Sequence, residues 1–148
     1  MHKVFADTNF LLDVMIPDRP QSESARQIYC DALGNSYDMA IAAGSLKDTY
    51  YIARRYLSEE DRRDWVREFL RHLIVLPIDE SVCRCAVDSD EPDFEDGIVR
   101  QCAESWDADC MLSRDVAAFR DSRVPRIDAQ DFLACSGDGG YGAGAGPE

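Results

Sequence analysis

The sequence predicts a three-layer α/β/α fold built on a central, mostly parallel sheet, and three observations carry that expectation. Short apolar runs alternate with stretches of helical periodicity from residue 3 to residue 133, the pattern of strands joined by crossover helices. The chain has 148 residues and is 45% hydrophobic, enough for one core that folds without disulfides or a structural metal. Several runs end in an aspartate, which puts acids at the carboxyl edge of the sheet, where open α/β folds bind ligands.

The first strand is read over residues 2–6, with Asp7 at its end and a short helix over 8–15. Pro17 and Pro20 break the pattern before a helix over 22–33, with Ser22 and Ser24 as candidate caps and Gly34-Asn35 as the stop. Residues 37–42 read as the second strand. A helix over 45–57 follows, with Leu46, Thr49, Tyr50, Ala53 and Leu57 on its apolar face and Asp48 on the opposite one, beside Ile52. Ser58 caps the next helix, which holds Glu59, Glu60 and Asp61 in its first turn and runs to about Leu73. A strand over 74–78, a helix over 79–88 and a longer helix from Asp93 to Trp106 come next. Beyond them lie a buried strand at 110–112, the turn Ser113-Arg114-Asp115, a brief helix around Phe119, a last strand over 125–127 and a helical turn over 129–133. Residues 1–135 are thereby assigned to one domain. From 136 to 148, six glycines in thirteen residues leave too little to bury, and a disordered tail is expected.

Acids outnumber Lys and Arg by 29 to 16, and the net charge of −13 gives a soluble surface that repels free nucleic acid. A nucleic-acid substrate therefore needs divalent cations and local arginines to reverse the sign at the site. Fourteen of the 16 basic residues are arginines, whose planar fork suits phosphate and carboxylate partners. The six cysteines form no Cys-x-x-Cys pair, which excludes zinc ribbons and redox motifs of that type, and most are expected to be reduced and buried. The two histidines are too few for His-centred chemistry. No run approaches the roughly 20 apolar residues that span a bilayer, and no charged-then-apolar leader precedes the first strand. A cytoplasmic protein with no membrane partner is expected.

Four segments place an acid just after a strand or in the first turn of a helix: Asp7, Asp48, Asp93 with Asp96, and Asp115. In a parallel sheet those segments meet at one edge. Helix capping accounts equally well for Asp7, Asp93 and Asp115, at about 1 kcal/mol each. Asp93-x-x-Asp96 also reads as a capping pair, with Arg100 four residues beyond Asp96 as an ordinary helix-surface partner. Periodicity turns Asp48 away from the apolar stripe of its helix, where a solvated surface acid would look the same.

Taken together, Asp7-Thr8-Asn9-Phe10-Leu11-Leu12-Asp13, Ser45-Leu46-Lys47-Asp48-Thr49-Tyr50-Tyr51-Ile52, Asp93-Phe94-Glu95-Asp96, and Ser113-Arg114-Asp115 followed by Phe119 form an ordered set. Over about residues 3 to 133 the chain resembles the PIN-domain ribonucleases, including the VapC-type toxins of bacterial toxin-antitoxin pairs. The resemblance implies a PIN-like fold and a cluster of Asp7, Asp48, Asp96 and Asp115, with Asp93 as an addition and Asn9 and Ser113 as hydrogen-bonding supports. It also implies a homodimer and an antitoxin protein partner. Two departures stand out. Asp48 occupies a place where many relatives have Glu, and its shorter reach loosens the site. Gly97 occupies one where Ala is common, at a cost of roughly 1 kcal/mol to its helix.

Clustered carboxylates repel one another unless cations compensate, and Mg²⁺ or Mn²⁺ suits an oxygen-only set. The implied reaction is metal-dependent hydrolysis of an RNA phosphodiester, with Asp7, Asp96 and Asp115 as metal ligands, Asp48 completing the shell directly or through water, and Arg114 holding substrate phosphate. One alternative is a catalytically weak PIN-like module whose acidic surface sequesters a basic protein. A phospho-accepting receiver domain fits less well, because it needs a lysine at the pocket and the chain offers only Lys3 and Lys47.

Overall fold

The computed structural model describes residues 2–137. Five strands form one sheet in the order β3-β2-β1-β4-β5, and every pairing is parallel. The strands are β1 (Lys3–Ala6), β2 (Asp38–Ala42), β3 (Ile74–Leu76), β4 (Cys110–Leu112) and β5 (Arg126–Ile127). Among the described residues seven α-helices flank them: α1 (Thr8–Met15), α2 (Ser22–Leu33), α3 (Ala43–Ile52), α4 (Glu59–His72), α5 (Glu80–Val87), α6 (Phe94–Ser105) and α7 (Ala129–Gly137).

Alternation along the strands divides the core in two. Val4 and Ala6 of β1, Met39 and Ile41 of β2, and Cys110 and Leu112 of β4 face a cluster completed by α1, α2, Phe69 of α4 and Phe132 of α7. The intervening Phe5, Ala40, Ala42 and Met111 face a second cluster with Cys102 and Ala103 of α6, Phe119 and Val124. Strands covered on both faces read as continuous apolar runs, which is why β1 and β4 stand out in the sequence. The chain proceeds from β1 outward through β2 to β3, then crosses to the other side for β4 and β5. The order reverses at β1, and the crevice beside its carboxyl end is the place such sheets offer a ligand.

Element positions follow the sequence with local corrections. Helix α3 starts directly where β2 ends, at Ala43, and stops at Ile52; a 3₁₀ turn over Ala53–Arg55 replaces the expected continuation to Leu57. Ser22 is the first helical residue of α2 rather than its cap, and Gln21 in the cap position makes no side-chain cap bond. Strand β3 ends at Leu76, before Pro77, which lacks an N–H for the ladder. No helix forms around Phe119. Asp115 begins a turn there, but Phe119 adopts φ 66° and donates its N–H to Glu91 at 2.9 Å, which ends it. Helix α7 runs to Gly137, past Leu133, and the rest of the glycine-rich stretch lies outside the described residues. All six cysteines are free, but Cys30, Cys85 and Cys135 are exposed and only Cys102 and Cys110 are buried, fewer than anticipated.

Gly97 has a packing reason. A Cβ there would meet the carbonyl oxygen of Ala86 at 3.1 Å and its Cβ at 3.3 Å, so the glycine lets α6 lie against α5, which offsets its weak helix propensity.

Candidate active site

Asp7 sits where β1 gives way to α1, and it caps that helix. Its backbone is extended, and its Oδ1 accepts the N–H of Asn9 at 2.6 Å. Its own N–H donates to the carbonyl of Leu112 at 3.1 Å, tying the ends of β1 and β4 together. Capping and site membership are therefore the same placement, not rivals. Ser113, buried just past β4, hydrogen-bonds the Asp7 carboxyl and also accepts the N–H of Asp115 through its Oγ at 3.2 Å. Arg126 fixes the same turn by donating to the Ser113 carbonyl at 2.7 Å.

Asp96 projects from the first turn of α6, whose cap is Asp93. The Asp93 carboxylate accepts the N–H groups of Glu95 at 2.7 Å and Asp96 at 3.3 Å. Asp115 likewise accepts from Ala117 at 3.0 Å and Ala118 at 3.2 Å. Asp7, Asp48, Asp96 and Asp115 all line one pocket of about 550 Å³, with Thr8, Asn9 and Ser45 among its polar walls. Thr8 and Ser45 hydrogen-bond at 3.0 Å and so join the starts of α1 and α3 across that wall. Asp93 lies outside the pocket, and its charge acts on Asp96 from the helix end.

The electrostatics of this pocket are unfavourable to its own carboxylates. Burial raises the Asp7 carboxyl above its ordinary range, opposed by hydrogen bonds from Ser113, Asn9 and Phe10 and reinforced by the charge of Asp115. Asp96 is pushed up to about 6 by burial and by the charges of Asp93, Asp115, Glu91 and Asp7. Among the described residues Lys47 is the only cation lining the pocket, and it pairs with Asp48 at 3.2 Å. Asp48 thus reaches the pocket on the face that periodicity assigned to solvent. That face of α3 looks polar because it borders the cleft.

Arg114, expected at substrate phosphate, does not line the pocket. Its guanidinium lies 3.3 Å from Asp13, a buried acid of α1 that also pairs with Arg19 at 2.6 Å. Arg19 reaches on to the side-chain oxygen of Asn9 at 3.4 Å. Asp13 is a residue that site reasoning from the sequence passed over, although an acid among Leu11, Leu12, Val14 and Met15 was the available signal. Arg100 does not engage Asp96 either. It contacts Glu104 at 2.9 Å, Asp90 at 2.6 Å and Glu91 at 3.3 Å, and so neutralises a different set of acids.

The donor set suits a hard divalent cation, since every candidate ligand is a carboxylate oxygen. Among the described residues no three Asp, Glu, His or Cys side chains converge closely enough to cage an ion. Mg²⁺ needs no cage, because it uses one or two carboxylates and keeps several waters. The residues fit such an ion in an open, partly hydrated site.

Comparison with known proteins agrees with this geometry. A family model described as PIN domain matches residues 3–117. No curated protein sequence matches the chain. Among solved structures, VapC20 of Mycobacterium tuberculosis, described as a sarcin-ricin loop cleaving toxin, superposes with a TM-score of 0.63 at 14% identity, covering 76% of this chain and 89% of that one. The DNA-bound VapBC of Salmonella typhimurium gives 0.64 at 18% identity over 87% and 99% of the two chains. FitAcB of Neisseria gonorrhoeae gives 0.59 at 19% identity over 86% and 98%. With its sheet order, its acidic crevice beside β1 and a family match over most of its length, the chain belongs to the PIN domain family.

Proposed function

We propose that this PIN domain is a divalent-metal-dependent ribonuclease that hydrolyses RNA phosphodiester bonds as the toxin of a toxin-antitoxin pair. One observation carries the reading: Asp7, Asp96 and Asp115 share a pocket, the charge of Asp115 raises the proton affinity of both Asp7 and Asp96, and the three have no protein cation to themselves. Elsewhere the buried side chains of Asp13 and Glu91 are neutralised by arginine, so this group calls for a cation from outside.

Asp7, Asp96 and Asp115 would hold Mg²⁺ or Mn²⁺, which supplies Lewis-acid polarisation of a phosphoryl oxygen and a lowered pKa for water. Ser113 and the amide of Asn9 orient the Asp7 carboxylate, so that its oxygens are preorganised. Asp48, on the α3 side of the pocket, is placed to orient a water and accept its proton. Thr8 and Ser45 hold α1 and α3 at a fixed separation across the cleft.

An antitoxin has a candidate seat away from this pocket. A groove of about 480 Å³ between α1, α2 and α4 has Tyr29, Leu33, Leu57 and Trp65 on its walls and Asp61 and Glu68 at its rim. The Tyr29 hydroxyl is buried there without a hydrogen-bond partner among the described residues, and an apolar segment with basic ends would complement the groove.

The test is RNA cleavage in Mn²⁺ with and without chelator. Cleavage that chelator abolishes, and that Asp7→Asn and Asp96→Asn lose, supports the reading. Cleavage that survives chelator, or that both variants retain, overturns it.

A further inference from the structure

We propose that Tyr51 and Phe94 form a base-stacking platform at the mouth of the acidic pocket, on which the bases next to the bond to be cut are seated. This rests on the ribonuclease reading and assigns its base-binding subsite to two residues. Both rings line the pocket that holds Asp7, Asp96 and Asp115, yet Tyr51 is 62% and Phe94 48% exposed. Tyr51 lies three residues after Asp48 on α3, and Phe94 two residues before Asp96 at the start of α6, so each ring flanks an acid of the site. Large rings left open beside a polar cleft mark a binding surface, and a base offers a π-face to either.

The charge around Tyr51 supports a nucleic acid over other occupants. The Arg54 guanidinium stacks 3.8 Å from the Tyr51 ring centroid and donates to the Tyr51 carbonyl at 2.8 Å, which holds the ring in place while leaving most of it open. Arg62 stacks on the neighbouring Tyr50 at 4.4 Å. Among the described residues eight arginines are ion-paired, and Arg54, Arg55 and Arg62 are among the six that have no carboxylate within ion-pair distance. In a chain of net charge −13, Arg54 on the exposed Tyr51 ring and Arg62 on the adjacent Tyr50 supply the local positive charge that a phosphate backbone requires. Stacking on unpaired bases, with arginines along the backbone, is how single strands are held.

Binding of a short fluorescent single-stranded RNA in Ca²⁺, compared with the same strand carrying abasic sites, tests the platform apart from cleavage. Wild type should bind the natural strand about tenfold more tightly. Tyr51→Ala or Phe94→Ala should erase that difference, Tyr51→Phe should keep it, and Arg54→Ala should weaken both strands alike. Unchanged thermal unfolding checks that the variants remain folded. Equal binding of the two strands by wild type, or binding of neither, overturns the proposal. So does a Tyr51→Ala protein whose RNA affinity is unchanged but whose dimer is lost, since the ring would then be covered by a second copy. Cleavage of the natural strand in Mn²⁺ reports on the chemistry separately. Discrimination without cleavage retains the platform and removes the nuclease; cleavage without discrimination does the reverse.

Discussion

Two aspartates on the first helix have opposite fates. Asp13 is buried and held by two guanidiniums, Arg19 at 2.6 Å and Arg114 at 3.3 Å. Asp7, at the other end of the same short helix, is also buried, yet its surroundings contribute further carboxylates, and the one lysine lining its pocket pairs with Asp48 instead. One site is closed electrostatically by the fold, and the other is left open. A buried charge that the protein does not neutralise is costly, so its retention at the ligand edge of the sheet points to a task that needs the charge.

The contrast can be broken from either side. Removing an acid of the open site should have the largest functional effect. Asp96→Asn should lower RNA cleavage in Mn²⁺ by about 100-fold or more, because even groups that only support metal ligands cost 10- to 100-fold. The closed site should respond in stability instead. Arg19→Met leaves buried Asp13 with Arg114 alone and should cost about 2 kcal/mol in chemical denaturation, with the metal affinity of the folded protein unchanged. Ser113→Ala, which removes the hydrogen bond to Asp7, should fall between these classes, with a roughly tenfold loss of cleavage and near-wild-type folding.

The smallest effect is on pH. The Asp96 pKa rises from 3.8 unfolded to about 6 folded, so between those values the native state binds more protons than the unfolded one and stability falls as pH rises. Metal-free protein should be more stable at pH 5 than at pH 7.5, by on the order of 1 kcal/mol once solvent screening is allowed for. Asp96→Asn should flatten this profile. Equal stability at both pH values in the wild type would remove the evidence that the pocket is strained.

What the sequence made legible follows the range of each interaction. The sheet and most helices are local patterns, and Asp7, Asp96 and Asp115 could be placed because strand ends and helix starts are local as well. The pairing of Arg114 with Asp13 is a contact across about a hundred residues, set by the approach of the turn after β4 to α1, and no spacing rule reports it. The turn at Phe119 failed as a helix for the same reason, since Glu91, 28 residues earlier, takes its N–H. Asp48 was ambiguous because a cleft-facing side of a helix and a solvent-facing side have the same composition. The Tyr51 and Arg54 pair was within reach of sequence reasoning by spacing alone, but its position at the pocket mouth was not.

Mn²⁺ titration by calorimetry of wild type, Asp96→Asn and Asp13→Asn tests the open-versus-closed distinction most directly. Binding by wild type, binding retained in folded Asp13→Asn and binding lost in Asp96→Asn are expected. A wild type that takes up no Mn²⁺, or an Asp96→Asn protein that binds it equally well, would contradict the claim that the uncompensated carboxylates beside β1 exist to hold a metal.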